Sequence, residues 1–110
     1  MSLLTRKATL QSAAVAVGNG TPVDVTGFVR IGVQTTGITV ATITYEATID
    51  GVNWVAIALM PAGGGAATST STADALVSGA VSGFAQFRAR ISAWTSGTIT
   101  TTALVTDASS

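Results

Sequence analysis

Hydrophobic and polar residues alternate along much of this chain. Threonine, valine and isoleucine dominate the segments where the alternation is clearest, and these β-branched residues favour pleated strands. No segment of useful length shows the spacing of three and four residues that marks an amphipathic helix. The pattern therefore predicts an all-β chain.

The alternation predicts a series of candidate strands, most of them separated by turns that contain glycine. These strands are 8–17, 22–25, 28–34, 38–49, 52–59, 75–77, 84–93 and 98–106. With no helix available to make parallel crossovers, the strands are expected to pair antiparallel. Strands of this length and spacing predict a β-sandwich, jelly-roll-like in its connections.

The chain has 110 residues, which is enough for a single domain with its own core. We therefore expect residues 1–110 to form one β-sandwich domain. Residues 1–7 are predicted to be a flexible N-terminal arm. Residues 61–73 consist almost entirely of small and polar side chains and are predicted to be a flexible loop.

Charged residues are scarce, with five Lys or Arg and five Asp or Glu in the whole sequence. In a typical soluble domain about a quarter of the residues are charged, and this charge helps to keep sheet edges from pairing with neighbouring molecules. The composition therefore predicts a β-rich building block that meets partners over much of its surface.

The composition also argues against several functions. Without cysteine or histidine the chain has no disulfide, no thiolate nucleophile and no usual ligand for zinc, so we expect no metal and no cofactor. Its formal net charge is zero, which argues against nucleic-acid binding. The longest apolar run, 54–60, is too short for a membrane helix, and no membrane partner is expected.

A hairpin is predicted where two strand-like runs meet at Asp50-Gly51, because Asp-Gly supplies the backbone angles of a tight turn. A two-residue loop would pair Ala47 with Trp54 and make Tyr45 and Trp54 diagonal neighbours on one face. Two interpretations are open. The aromatic side chains belong to the core, or Tyr45 and Trp54 form an exposed platform on which sugars stack.

The strand near Phe84 has two different faces. Alternation assigns one face to the core: Ala85, Phe87, Ala89, Ile91 and Ala93. The opposite face carries Phe84, Gln86, Arg88, Arg90 and Trp94, and Arg30 occupies a similar position in its own strand. Arginine with aromatic side chains is typical of protein interfaces, but a solvated face with ion pairs to Glu46 or an aspartate would look the same.

The acidic residues do not suggest catalysis. Carboxylate catalysis needs two acids across a cleft, whereas these residues lie mostly at expected turns and strand ends: Asp24, Glu46, Asp50, Asp74 and Asp107. An enzyme is therefore not expected, although a glycan hydrolase using Glu46 would be the most plausible one.

Residues 48–54, residues 87–98 and the Thr/Ala-rich composition resemble small structural proteins of tailed bacteriophages, namely head decoration, spike or tail-associated proteins with β-sandwich folds. The resemblance implies a non-enzymatic virion protein, assembled in the bacterial cytoplasm. Such a protein would form a homotrimer and bind the major capsid protein to stabilise the shell. The alternative is a carbohydrate-binding or receptor-recognition module using Tyr45, Trp54 or Trp94.

Overall fold

The computed structural model of the chain describes residues 4–107, which form strands and no helix. The strands are β1 (Thr5–Ala14), β2 (Val23–Asp24), β3 (Arg30–Thr48), β4 (Val55–Ala56), β5 (Met60–Pro61), β6 (Thr70–Ser71), β7 (Ala75–Ala80) and β8 (Gln86–Thr106). Every pairing between these strands is antiparallel. The predicted all-β, antiparallel, single-domain fold is confirmed.

Two long strands form the centre of the sheet. β3 has 19 residues and β8 has 21, and they pair from Arg30 opposite Thr106 to Thr48 opposite Gln86. The sheet order is β1-β8-β3-β7-β5, while β2 pairs with β8 and both β4 and β6 pair with β3. All other strands therefore attach, directly or through β7, to the β3–β8 pair.

This ribbon of two strands is bent. A straight strand of the length of β8 would span roughly 70 Å, whereas the longest dimension of the molecule is 44 Å. The register of β3 against β8 shifts four times between Thr36 and Ile43, and such β-bulges bend a strand and increase its twist. Gly37 and Gly97 lie in this region with φ angles of 86° and 120°.

The bend turns one sheet into two layers. The first layer contains β1, β5, β7, the beginning of β3 and the end of β8; the second contains β2, β4, β6, the end of β3 and the beginning of β8. Alternate side chains of both layers meet in one core, which includes Ile31, Val33, Ile43, Tyr45, Phe87, Ile91, Ile99 and Val105. The sandwich therefore consists of two halves of a single ribbon.

Several predicted boundaries differ from the observed ones. Segments 28–34 and 38–49 merge into β3, and 84–93 and 98–106 merge into β8, because the glycines between them occupy bulges and not turns. Only Val55–Ala56 of the predicted strand 52–59 pairs with β3.

The two segments predicted to be flexible also carry pairings. Residues 5–7 of the predicted arm belong to β1 and pair with β8, from Thr5 opposite Thr106 to Lys7 opposite Leu104, whereas residues 1–3 lie outside the described part. Within 61–73, Pro61 belongs to β5, and Thr70–Ser71 forms β6 against β3. Backbone pairing with β8, β7 and β3 therefore holds residues of both segments.

The sheet edges are protected in spite of the low charge. Edge strand β1 carries Arg6 and Lys7 and is interrupted by register shifts between Thr9 and Ala14. The Arg6 guanidinium lies 5.7 Å from the centre of the Phe28 ring, at the rim of the core. The strands β2, β4, β5 and β6 have two residues each. Charge, bulges and short strands all discourage pairing with another sheet.

Gly37→Ala is expected to destabilise the fold by about 2 to 5 kcal/mol. Gly37 has a positive φ, and a Cβ at this position would overlap the carbonyl oxygen of Thr98, which is backbone and cannot rotate away. Urea unfolding measures the loss. The matched control is Gly32→Ala in the same strand, where a Cβ meets nothing within 4 Å and no loss is expected. Equal stability of the two variants would contradict this account of the bend.

Candidate functional site

The outer face of the second layer carries an ion-pair cluster. Glu46 of β3 lies opposite Arg88 of β8, and Arg88 Nε donates a hydrogen bond of 2.7 Å to Glu46 Oε1. Arg90 Nη1 lies 3.5 Å from Glu46 Oε2. The exposed fraction of the side chain is 9% for Glu46, 15% for Arg88 and 43% for Arg90. The pair of Glu46 with Arg88 is thus largely removed from solvent.

Trp54 completes this cluster. The guanidinium carbon of Arg88 lies 4.2 Å from the centre of the Trp54 ring, which is a close cation–π contact. Arg88 therefore contacts a carboxylate along its edge and an aromatic ring on its face. We call Glu46, Trp54, Arg88 and Arg90 the Glu46 cluster. The cluster agrees with the second interpretation of this face, in which the arginines form ion pairs with Glu46. The interface role of Arg88 and Arg90 stays a prediction.

Trp94 does not belong to the Glu46 cluster. In β8, Ile91 pairs with Ile43 and Ala93 pairs with Thr42, so that Ser92 is the extra residue of a bulge. Beyond the bulge the two faces of the strand are exchanged: Ala93 is exposed, and Trp94 packs against the core. The predictions that Ala93 is a core residue and that Trp94 shares the arginine face are therefore wrong.

Arg30 is also distant from the cluster along the ribbon. It is exposed at the beginning of β3, where it pairs with Ala80 and Thr106 of the first layer. Glu46 and its arginines lie in the second layer, near the other end of β3. The four predicted interface residues therefore do not form one surface.

Tyr45 is a core residue. Its exposed fraction is 0%, its ring stacks on Phe87 with the ring centres 6.4 Å apart, and its hydroxyl is hydrogen-bonded to that of Ser71. Burial raises the pKa of the Tyr45 phenol. The core interpretation of Tyr45 is confirmed, and a sugar platform that includes Tyr45 is wrong.

The register of the hairpin explains why Tyr45 and Trp54 separate. Ala47 pairs with Val55 and not with Trp54, because the loop between the strands is longer than two residues. A shift of one residue in an antiparallel pair moves a side chain to the opposite face. Tyr45 therefore points into the core, while Trp54 lies with Arg88 outside it.

The carboxylate of Asp50 organises this loop. Its Oδ1 accepts hydrogen bonds from the backbone N–H groups of Val52 and Asn53, both at 2.8 Å, and from the Thr48 hydroxyl at 3.0 Å. Its Oδ2 accepts a bond of 2.7 Å from Asn53 Nδ2. The bonds from Asn53 and Val52 lower the pKa of Asp50 well below its usual range. Asp50 is a turn residue, as predicted.

Beside this loop lies an apolar surface that the alternation of the sequence does not predict. The exposed fractions of Ile49, Val52 and Val55 are 74%, 77% and 66%. Next to them is a pocket of about 430 Å³, whose lining includes Ile57 and Phe84. We call these five residues the apolar end. The signal for such a loop is Asp50 followed by Asn53, among aliphatic residues that do not alternate with polar ones.

The other acidic residues hold loops and strand ends. Asp24, Asp74 and Asp107 accept bonds from the backbone N–H groups of Thr26, Ile38 and Leu4 respectively, at 2.8 to 2.9 Å. The bond from Thr26 lowers the pKa of Asp24. Within residues 4–107 no three acidic side chains come close enough to hold a metal ion. No helix in that range could cross a membrane.

Two solved structures share this fold. The SPBc2 prophage-derived protein YomS superposes with a TM-score of 0.85 at 16% sequence identity, over 96% of each chain. The PBSX exported protein XepA superposes with a TM-score of 0.90 at 14% identity, over 96% of this chain. The chain spans only 39% of the length of XepA. No protein-family model and no curated protein sequence matches the chain. At these identities the similarity establishes the fold.

A double-mutant cycle tests the geometry of the Glu46 cluster. Combining Glu46→Gln with Arg88→Met is expected to give a coupling of about 1 to 3 kcal/mol in urea unfolding, since both partners of the pair are largely buried. The control cycle pairs Glu46→Gln with Arg90→Met and should give less than about 0.5 kcal/mol, because that contact is longer and exposed. Equal couplings would contradict the assigned geometry.

Asp50→Asn should destabilise the protein in a pH-dependent way. The pKa of Asp50 is lower in the folded than in the unfolded state, so its carboxylate contributes stability above its unfolded pKa of 3.8 and loses it as the pH falls towards the folded pKa. The urea midpoints of wild type and variant should differ most above about pH 5 and converge below 3.8. A constant difference across this range would contradict the role of the ionised carboxylate.

Proposed function

We propose that this chain is a non-enzymatic structural protein of a bacteriophage particle, in which it acts as a head decoration protein. It binds the major capsid protein, forms a homotrimer, stabilises the shell and resides in the virion after assembly in the host cytoplasm. Its fold is shared with a prophage-derived protein over 96% of both chains, which supports the phage assignment. The proposed partners include no nucleic acid and no membrane.

The apolar end is the observation that carries the proposal. Its three exposed aliphatic side chains project beside an apolar pocket, and exposed apolar surface of this kind is typical of protein interfaces. Among residues 4–107, the one charged residue that lines the pocket is Asp50, whose carboxylate oxygens already accept hydrogen bonds from the loop. When a partner covers the apolar end, the Asp50 carboxylate therefore keeps its hydrogen bonds.

The acidic residues support a non-enzymatic role. Glu46 is bound by arginine, and each of the four aspartates accepts a backbone N–H bond that fixes a loop or a strand end. A general acid or base needs access to a substrate and a matched partner across a cleft. These carboxylates are instead used to hold the fold together.

Val52→Asp is expected to abolish binding to undecorated phage shells, because it places a charge on the most exposed side chain of the apolar end. Binding is measured by co-sedimentation with the shells, and stabilisation by the melting temperature of the shells. The matched control is Val17→Asp, which changes a valine of similar exposure, 60% against 77%, outside the apolar end. It should bind as wild type does.

Light scattering measures the oligomeric state of the free protein. The proposal expects the mass of three chains of 10.9 kDa for the free protein. Wild-type protein that neither binds shells nor raises their melting temperature would reject the decoration role. Equal binding by both variants would keep that role but reject the apolar end as the contact surface.

A further inference from the structure

A second groove lies at the bend of the ribbon. It has a volume of about 260 Å³ and lies between the middle of β3, the segment after β6 and the middle of β8. Its lining includes Trp94 and four threonines, Thr39, Thr42, Thr72 and Thr95. No lining residue is charged. The groove thus combines one half-buried tryptophan with hydroxyl groups and no net charge.

Two hydrogen bonds fix the walls of this groove. Trp94 Nε1 donates a bond of 3.0 Å to the carbonyl oxygen of Gly97, which sets the orientation of the ring. The carboxylate of Asp74 accepts a bond of 2.9 Å from the backbone N–H of Ile38, which holds the segment carrying Thr72 against β3. The groove is therefore largely ordered before a ligand enters it, and binding costs little conformational entropy.

The threonine hydroxyls of the groove are available for hydrogen bonds. Within residues 4–107, none of the four has a hydrogen-bonding partner for its side chain. A hydroxyl both donates and accepts, so four of them can match a ligand that is itself rich in hydroxyl groups. A purely apolar ligand would leave them without partners.

We propose that this groove binds a neutral glycan, with one sugar ring stacked on Trp94 and its hydroxyl groups hydrogen-bonded to the threonines. The absence of Lys and Arg from the lining argues against nucleic acid and other anionic ligands. The volume is below the roughly 300 to 1,000 Å³ of pockets that enclose drug-sized molecules, so the groove suits one ring of a chain lying across the surface. This activity goes beyond the proposed structural role and does not depend on it.

The test uses maltotriose, cellotriose and chitotriose as probes. The chain has two tryptophans, and the Trp54→Phe variant assigns their two indole N–H signals in a nitrogen–proton NMR spectrum. Titration with at least one of the three trisaccharides should shift the Trp94 signal and leave the Trp54 signal in place. No shift of the Trp94 signal with any probe at about 10 mM, or a shift of the Trp54 signal alone, would overturn the proposal.

Threonine variants test the hydrogen bonds to the glycan and leave Trp94 in place. Removing Trp94 would also affect the core. Thr42→Val and Thr72→Val keep the shape of the side chain, and each should weaken binding of the active trisaccharide about fivefold through loss of one hydrogen bond. The control, Thr9→Val on exposed strand β1, should have no effect. Unchanged affinity in both groove variants would overturn the assignment. Shell binding by Thr42→Val tests the structural role separately.

Discussion

The structure depends on the pairing of β3 with β8. The ribbon is bent, since either strand would exceed the 44 Å length of the molecule if it were straight, and its two halves close over the same core. The bend relies on bulges and on two glycines in conformations that other residues rarely adopt. It also creates the groove beside Trp94. The Glu46 cluster, by contrast, results from the register of the second half, where Glu46 faces Arg88.

The part of the fold that could be predicted is the part that depends on alternation. Phe87, Ala89 and Ile91 alternate towards the core and are fully buried, as expected. The bend could not be predicted, because a glycine with positive φ marks a turn between two strands and a bulge within one strand equally well. The sequence therefore predicts turns at Gly37 and Gly97, where the structure has bulges. A bulge differs from a turn in that the residues before and after the glycine pair with the same partner strand. That partner is distant in the sequence, so the pairing cannot be read from the residues near the glycine.

In the candidate site, too, alternation predicts the position of some residues and not of others. Arg88 and Arg90 lie on the face that alternation assigns to them, whereas Trp94 does not, because one extra residue at Ser92 exchanges the faces. Likewise, a longer loop after Thr48 shifts the partner of Ala47 by one residue and separates Tyr45 from Trp54. In a strand with a period of two, every insertion of one residue reverses the face assigned to each later residue of that strand.

The distribution of charge explains how a protein with so few charged residues can restrict where it makes contacts. Arg6 and Lys7 lie on edge strand β1, and the aspartates fix loops and strand ends through backbone N–H groups. Charge on an edge strand discourages pairing with another sheet, which is the contact most prone to uncontrolled aggregation. At the apolar end, the charged residue that lines the pocket is Asp50, whose carboxylate already accepts hydrogen bonds from its own loop. This arrangement therefore opposes association through the edges and leaves the apolar end with little ionic surface to desolvate.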